Sequence, residues 1–139
     1  MKTKGHAGLI YLATPYSHPD PMIVEVRFNA INRIAADLMG RGVYVFSPIS
    51  HTHPIAMAGD LPTSFEYWRE YCTATLQMCA GMIIAMSPGW MKSKGVAGET
   101  AIAQARGMWI EYAPMFGTHK YRAWLKTWGT IPERKSICH

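Results

Sequence analysis

Long apolar runs are missing from this sequence: nothing in its 139 residues approaches the roughly 18 or more consecutive apolar positions of a membrane-spanning helix. Its first residues, Met1-Lys2-Thr3-Lys4-Gly5-His6, lead into a short strand-like run and not into the apolar segment of a secretory signal, so a cytoplasmic protein without a membrane is expected. Cysteine is scarce as well. Cys72, Cys79 and Cys138 are odd in number and show no C-x-x-C spacing, which argues against a disulfide framework or a zinc ribbon and leaves reduced, buried thiols. Acidic residues are outnumbered, 9 against 14 basic, and the formal charge of +5 favours an anionic partner. The basic residues are scattered, however, which weighs against a dedicated nucleic-acid surface. Internal repeats and low-complexity segments are absent.

What is present is an apolar share of 49%, enough for one domain with a real core. Gly8 to Ala13 reads as a first strand, closed by Thr14-Pro15-Tyr16-Ser17-His18-Pro19-Asp20-Pro21, where proline excludes a helix. Val24, Phe28, Ile31, Ala35 and Leu38 then recur at helical spacing, up to Gly40-Arg41-Gly42. Val43 to Phe46 is a second strand. It is followed by an expected long loop, Ile49 to Pro62, containing His51-Thr52-His53-Pro54. Phe65, Trp68, Cys72, Leu76 and Cys79 mark one face of a second helix, capped by Thr63 or Ser64. Gly81 to Met86 is a third strand, Val96 to Arg106 an alanine-rich helix closed by Gly107, and Met108 to Tyr112 a fourth strand.

Strands alternating with helices predict an α/β fold with a mostly parallel sheet, whose ligands sit at the carboxyl ends of the strands. The loops Thr14 to Asp20, Ser47 to Pro62 and Ser87 to Gly95 should therefore share one rim. The third of these is the richest in chemistry. Gly89, Gly95 and Gly98 permit close backbone approach, Ser93 offers a hydroxyl, Lys92 and Lys94 offer charge, and the first amides of the following helix attract anions. Glu99 falls near the first turn, where the macrodipole favours an ionised carboxylate available as a nucleophile or base. In the tail, Tyr121, Trp124, Leu125 and Trp128 read as a short helix packing on the domain, in preference to an exposed aromatic surface with Lys120, Arg122 and Lys126.

Three motifs in order, Tyr11-Leu12-Ala13-Thr14-Pro15-Tyr16-Ser17, Ser50-His51-Thr52-His53-Pro54-Ile55 and Pro88 to Glu99, resemble the nucleoside 2-deoxyribosyltransferase-like superfamily. The resemblance is greatest to its small bacterial and phage branch of the DUF1937 type. It implies a flavodoxin-like three-layer α/β sandwich over residues 1–112, with 113–139 as a C-terminal extension packing on the domain or on a neighbouring subunit. It implies cleavage of an N-glycosidic bond, with Glu99 attacking the anomeric carbon to give a glycosyl ester. Ser93 stands where relatives acting on free nucleosides carry aspartate and where deoxynucleoside 5′-monophosphate N-hydrolases carry a phosphate-binding serine. A 5′-monophosphate is therefore the favoured substrate, gripped by Ser93, Gly95 and Val96.

The same resemblance makes Tyr11, Pro15, Tyr16, Ser17, Gly89 and Trp90 candidate substrate-binding residues, although Tyr11 could equally be packing at a strand end and Trp90 could cover the core. His51 and His53 would project together if their backbone were extended; hydrogen bonding to base or phosphate is preferred to metal ligation, for which no third ligand is evident. Arg27 reads as solvated or salt-bridged. Relatives keep an aspartate on the preceding helix to protonate the leaving base, and here Glu70, Tyr71 or Cys72 occupies that region, while their further aspartate before the third strand is replaced by Ala80. No cofactor and no metal are expected. The partners expected are a small-molecule nucleoside or nucleotide and further copies of the chain in a homo-oligomer. The alternatives are a base-exchanging transferase, a catalytically silent nucleotide-binding or sensor protein, and a nucleic-acid binder using the tail.

Overall fold

Ile10–Ala13, apolar at every position, is buried along its whole length and forms β1 at the centre of the sheet. The computed structural model describes residues 8–129; Cys138 and the rest of the extension beyond Gly129 lie outside them. Beside β1 run β2 (Val45–Phe46) and β3 (Gly81–Ala85), with β4 (Trp109–Ala113) outside β3, in the order β2-β1-β3-β4. All three pairings are parallel, with Ile10 opposite both Val45 and Gly81, and Gly81 opposite Trp109. The connections are α1 (Pro21–Met39), α2 (Pro48–Gly59) and α3 (Phe65–Leu76), then α4 (Lys94–Ala105), with α5 (His119–Lys126) after β4. This is the expected flavodoxin-like α/β sandwich. Among the described residues no helix is long and apolar enough to cross a membrane.

The two-residue period of the strands sorts the core into two layers. Ile10, Leu12, Ile83 and Ala85 face Ile31, Ile34 and Leu38 of α1, together with Tyr121 and Leu125 of α5 and the adjacent Trp128. Tyr11, Ala13, Met82 and Ile84 face the other way, onto Leu76 of α3 and Val96 and Ala103 of α4. Within the described residues, Tyr121, Leu125 and Trp128, with Trp124 partly buried, pack on the domain as their spacing suggested.

The helices begin where capping chemistry directs. Asp20 accepts from the Met22 amide with Pro21 in the first turn, and Ser64, Ser93 and Thr118 accept from the amides of Tyr67, Val96 and Tyr121. The largest departure is α2, which occupies most of the expected loop Ile49 to Pro62. Ser47 accepts from the Ser50 amide and Pro48 takes the first turn, a helix start that the proline-histidine composition conceals. Ile49, Thr52, His53 and Ala56 are buried at helical spacing, but only two of the four are apolar, so periodicity counted on apolar residues misses the stripe. Burial of that face holds the helix together despite the internal Pro54. It ends at Asp60 in the left-handed conformation, φ 53°.

Gly81 is required where β3 meets β4, because a Cβ there would stand 1.9 Å from Cε2 of the Trp109 indole. Gly81→Ala should cost about 1–3 kcal/mol by overpacking. Urea denaturation monitored by tryptophan fluorescence checks this, and an unchanged midpoint would show that the indole moves aside freely.

Candidate active site

The sheet order reverses between β1 and β3, and at a reversal the loops leaving the carboxyl ends diverge and leave a crevice. A cavity of about 380 Å³ lies there. The loop after β1 contributes Thr14 to Ser17, the start of α2 contributes Pro48, Ile49 and Thr52, and the β3–α4 connection contributes Gly89, Lys92 and Ser93 to Gly95. The three loops expected on one rim do converge. Thr14 and Ser87 tie two of them together through their hydroxyls, 2.9 Å apart.

Glu99 forms part of the cavity wall and is only 6% exposed. The Tyr11 hydroxyl, from the centre of β1, donates to its Oε2 at 2.5 Å. Burial pushes the Glu99 carboxyl up to about 7, while hydrogen bonds from Tyr11 and Cys72 oppose the rise. Proximity to the helix N-terminus was expected to favour the ionised form; burial outweighs it. The same burial, reinforced by the Glu99 charge, drives the Tyr11 phenol far above the ordinary range and the Cys72 thiol up to about 12. Both neighbours therefore stay protonated and can donate to the carboxylate. Of the three α3 residues considered for the missing acid, Glu70 is exposed, Tyr71 stacks on His51, and Cys72 faces Glu99.

Groups of the opposite character line the same cavity. Ser93 Oγ accepts from the Val96 amide at 3.1 Å, which leaves its own proton to donate. Lys92 and Lys94 border the cavity, and so does Arg27. Arg27 Nη1 donates to the carbonyls of Ser17 at 2.7 Å and Tyr16 at 3.3 Å, and burial lowers its pKa. Gly89, at φ 86°, lies so close that a Cβ there would stand 3.1 Å from Arg27 Nη2. The arginine that the sequence suggested was solvated is thus part of the wall.

Pro15, Tyr16, Ser17, Gly89, Ser93, Gly95 and Glu99 meet around one cavity, with Tyr11 bonded to Glu99 beside it. Besides Tyr11, four candidates do not line it. Val96 is buried in the α4 layer, with its amide bonded to Ser93. Trp90 packs on Tyr112, ring centres 5.6 Å apart. His51 is exposed and stacks on Tyr71, whereas His53, 4% exposed, sits behind Tyr16. The extended backbone that would have aligned the two histidines is helical, and a step of two in a helix turns them to different sides. Among the described residues no group of three or more His, Cys, Asp or Glu side chains is placed to hold a metal ion.

Phe65, Glu66 and Trp68 line the cavity although nothing singled them out as ligand-facing. The stripe expected along one face of α3 divides, with Leu76 inside and Phe65 and Trp68 half-buried at the cavity. Gly98 makes this possible, since a Cβ there would come within 2.5 Å of the Phe65 ring.

An α/β domain with a buried carboxyl at the crevice of a parallel sheet is the class this fold and site define. Residues 8–113 match the family described as Domain of unknown function (DUF1937), and the chain belongs to that family. A search of curated proteins found no match.

The raised Glu99 pKa has a consequence for stability. Between its ordinary 4.5 and about 7 the native state holds a proton that the unfolded chain releases, so rising pH through that window destabilises the fold. Glu99→Gln lacks the effect. Its stability relative to wild type should rise from pH 4.5 to 7.5 by an amount on the order of 3 kcal/mol and then level off. Denaturation midpoints across that range measure this; a flat difference would mean that the carboxyl titrates normally.

Proposed function

We propose that the chain cleaves the N-glycosidic bond of a deoxynucleoside 5′-monophosphate, or of a nucleoside, through a glycosyl ester on Glu99. The observation that carries this reading is a carboxyl walled into a ligand-sized cavity that is also lined by Ser93, Arg27 and two lysines. The resemblance of the three motifs to the nucleoside 2-deoxyribosyltransferase-like superfamily supports it, because the glutamate and the serine they align both border the cavity, from α4 and its cap.

In the first step a Glu99 carboxylate oxygen bonds to C1′ as the C1′–N bond breaks, and the base leaves with the electron pair and takes up a proton. Tyr11 holds the carboxylate in one orientation and releases no proton itself, given how far its phenol is shifted. Ionisation of Glu99 is needed for attack, so the acid limb of kcat/KM should fall below about pH 7. Water then opens the ester, returning the sugar phosphate and the free carboxyl. Of the α3 residues at the cavity, Phe65, Glu66, Trp68 and Cys72, only Glu66 carries a carboxyl with which to protonate a departing base. A homo-oligomer belongs to the same reading, with the exposed Met22 and Val26 of α1 as side chains a second copy would cover.

A second reading, a nucleotide-binding protein without turnover, is favoured by one observation. The residue that α3 presents to Glu99 is a thiol pushed up to about 12, a poor proton donor to a leaving base. Incubation with nucleosides, their 5′-monophosphates and NAD, read out as released base, separates the cases. Wild type should release base from a deoxynucleoside monophosphate and Glu99→Ala should reduce the rate by at least about a thousandfold. Exchange onto an added base faster than hydrolysis would identify a transferase. Binding with no release from any of the compounds would identify the silent binder, and release unchanged in Glu99→Ala would remove Glu99 from the chemistry.

A further inference from the structure

Behind the cavity wall runs a chain of hydrogen bonds that the steps at Glu99 do not use. The Tyr16 hydroxyl lies 2.5 Å from His53 Nδ1, and His53 Nε2 lies 2.9 Å from Glu25 Oε2. Three elements supply it: the loop after β1, α2 and α1. His53 is 4% exposed, while the Glu25 side chain at the far end is 53% exposed. The imidazole is clamped, with Phe28 packed against it at 4.4 Å between ring centres and Tyr16 edge-on at 85°. Turning the ring over would exchange the partners of both nitrogens.

For a neutral imidazole, the chemistry of the three groups sets the direction of the bonds. A carboxylate only accepts, so Nε2 must carry the hydrogen that bonds Glu25. The neutral ring then has only a lone pair at Nδ1, and that lone pair takes the Tyr16 proton. A phenol has one proton to give. Once it is committed behind the wall, the oxygen can meet a ligand only as an acceptor. Burial, then the Glu25 charge, push the phenol up to about 12, so it keeps that proton at neutral pH.

We propose that Tyr16 determines specificity by accepting a hydrogen bond from a hydroxyl of the ligand's sugar, and that His53 and Glu25 are positioning residues that impose this polarity. The inference rests on the N-glycoside reading above. A 2′-deoxynucleoside 5′-monophosphate has one free sugar hydroxyl, at the 3′ position, and that is the group assigned to Tyr16. A phosphate oxygen, lacking a proton, would be repelled by that oxygen, and the hydroxyl of Ser93 and the charge of Lys92 are supplied to the cavity from the β3–α4 connection instead.

Two measurements test this on the full chain. Nitrogen-15 NMR of histidine-labelled, ligand-free protein should show His53 as a single neutral tautomer protonated at Nε2, and Glu25→Gln, at an exposed position, should give a mixture. Affinities are then compared for a 2′-deoxynucleoside 5′-monophosphate and its 3′-deoxy and 3′-fluoro counterparts, the last of which accepts but cannot donate. Wild type should prefer the 3′-hydroxyl compound by roughly tenfold over both. Tyr16→Phe should erase the preference while still binding the 3′-deoxy compound, and Glu25→Gln should narrow it severalfold. A His53 ring protonated at Nδ1 or at both nitrogens overturns the relay, and a preference that survives Tyr16→Phe overturns the sugar contact. Wild type that binds no nucleoside or nucleotide overturns the N-glycoside reading and the sugar assignment with it, and shows this without any variant.

Discussion

The hydrogen bond between Tyr11 and Glu99 joins the centre of the sheet to the helix that carries the carboxyl, and much of the architecture serves to make that contact possible. Both groups are nearly or wholly removed from solvent, at 0% and 6% exposure. A buried carboxyl without a donor is costly, and a buried phenol without an acceptor is also costly. Each satisfies the other. The contact requires α4 to lie close over the α3/α4 face of the sheet, and its glycine at position 98 accommodates Phe65 of the neighbouring helix. Cys72 completes the enclosure from α3, and water has little room to solvate the charge.

The cavity consequently has two polar sides built from different layers of the sandwich. From the α3/α4 layer come Glu99 and its donors, in surroundings that favour the protonated acid. Cationic side chains reach the cavity from α1, from the β3–α4 connection and from the start of α4. Apolar and aromatic groups, among them Pro15, Ile49, Phe65 and Trp68, line the same cavity.

How much of this was legible in the sequence follows from the physics of each signal. β1 and β3 are continuous apolar runs because parallel strands are buried on both faces, and they stand out in the chain. Ser64, one of the two caps expected for α3, announces a helix start through a local bond that needs no tertiary context. Ser93 and Glu99 were readable because glycine spacing and helix onset lie together within a few residues. α2 was not, since Thr52 and His53 are buried through hydrogen bonds and ring contacts that hydropathy does not register. Arg27 was set aside for a related reason. An arginine on an amphipathic helix looks solvated until the loop from β1 folds back and offers its carbonyls. Phe65 and Trp68 share a helical stripe with Leu76, and only the position of the crevice along that helix separates pocket from core.

Ser93 is at once the cap of α4 and a wall of the cavity, and Glu99 follows it on the same helix. A helix advances about 1.5 Å and turns about 100° per residue, so the segment between them is a ruler of about 9 Å with a fixed phase. A ligand that reaches both ends is measured by it. One inserted residue would lengthen the ruler only slightly but would swing the carboxyl to another side of the helix, away from Tyr11. The spacing of six therefore encodes an angle more strictly than a length, and that makes it harder to alter by drift than either residue alone.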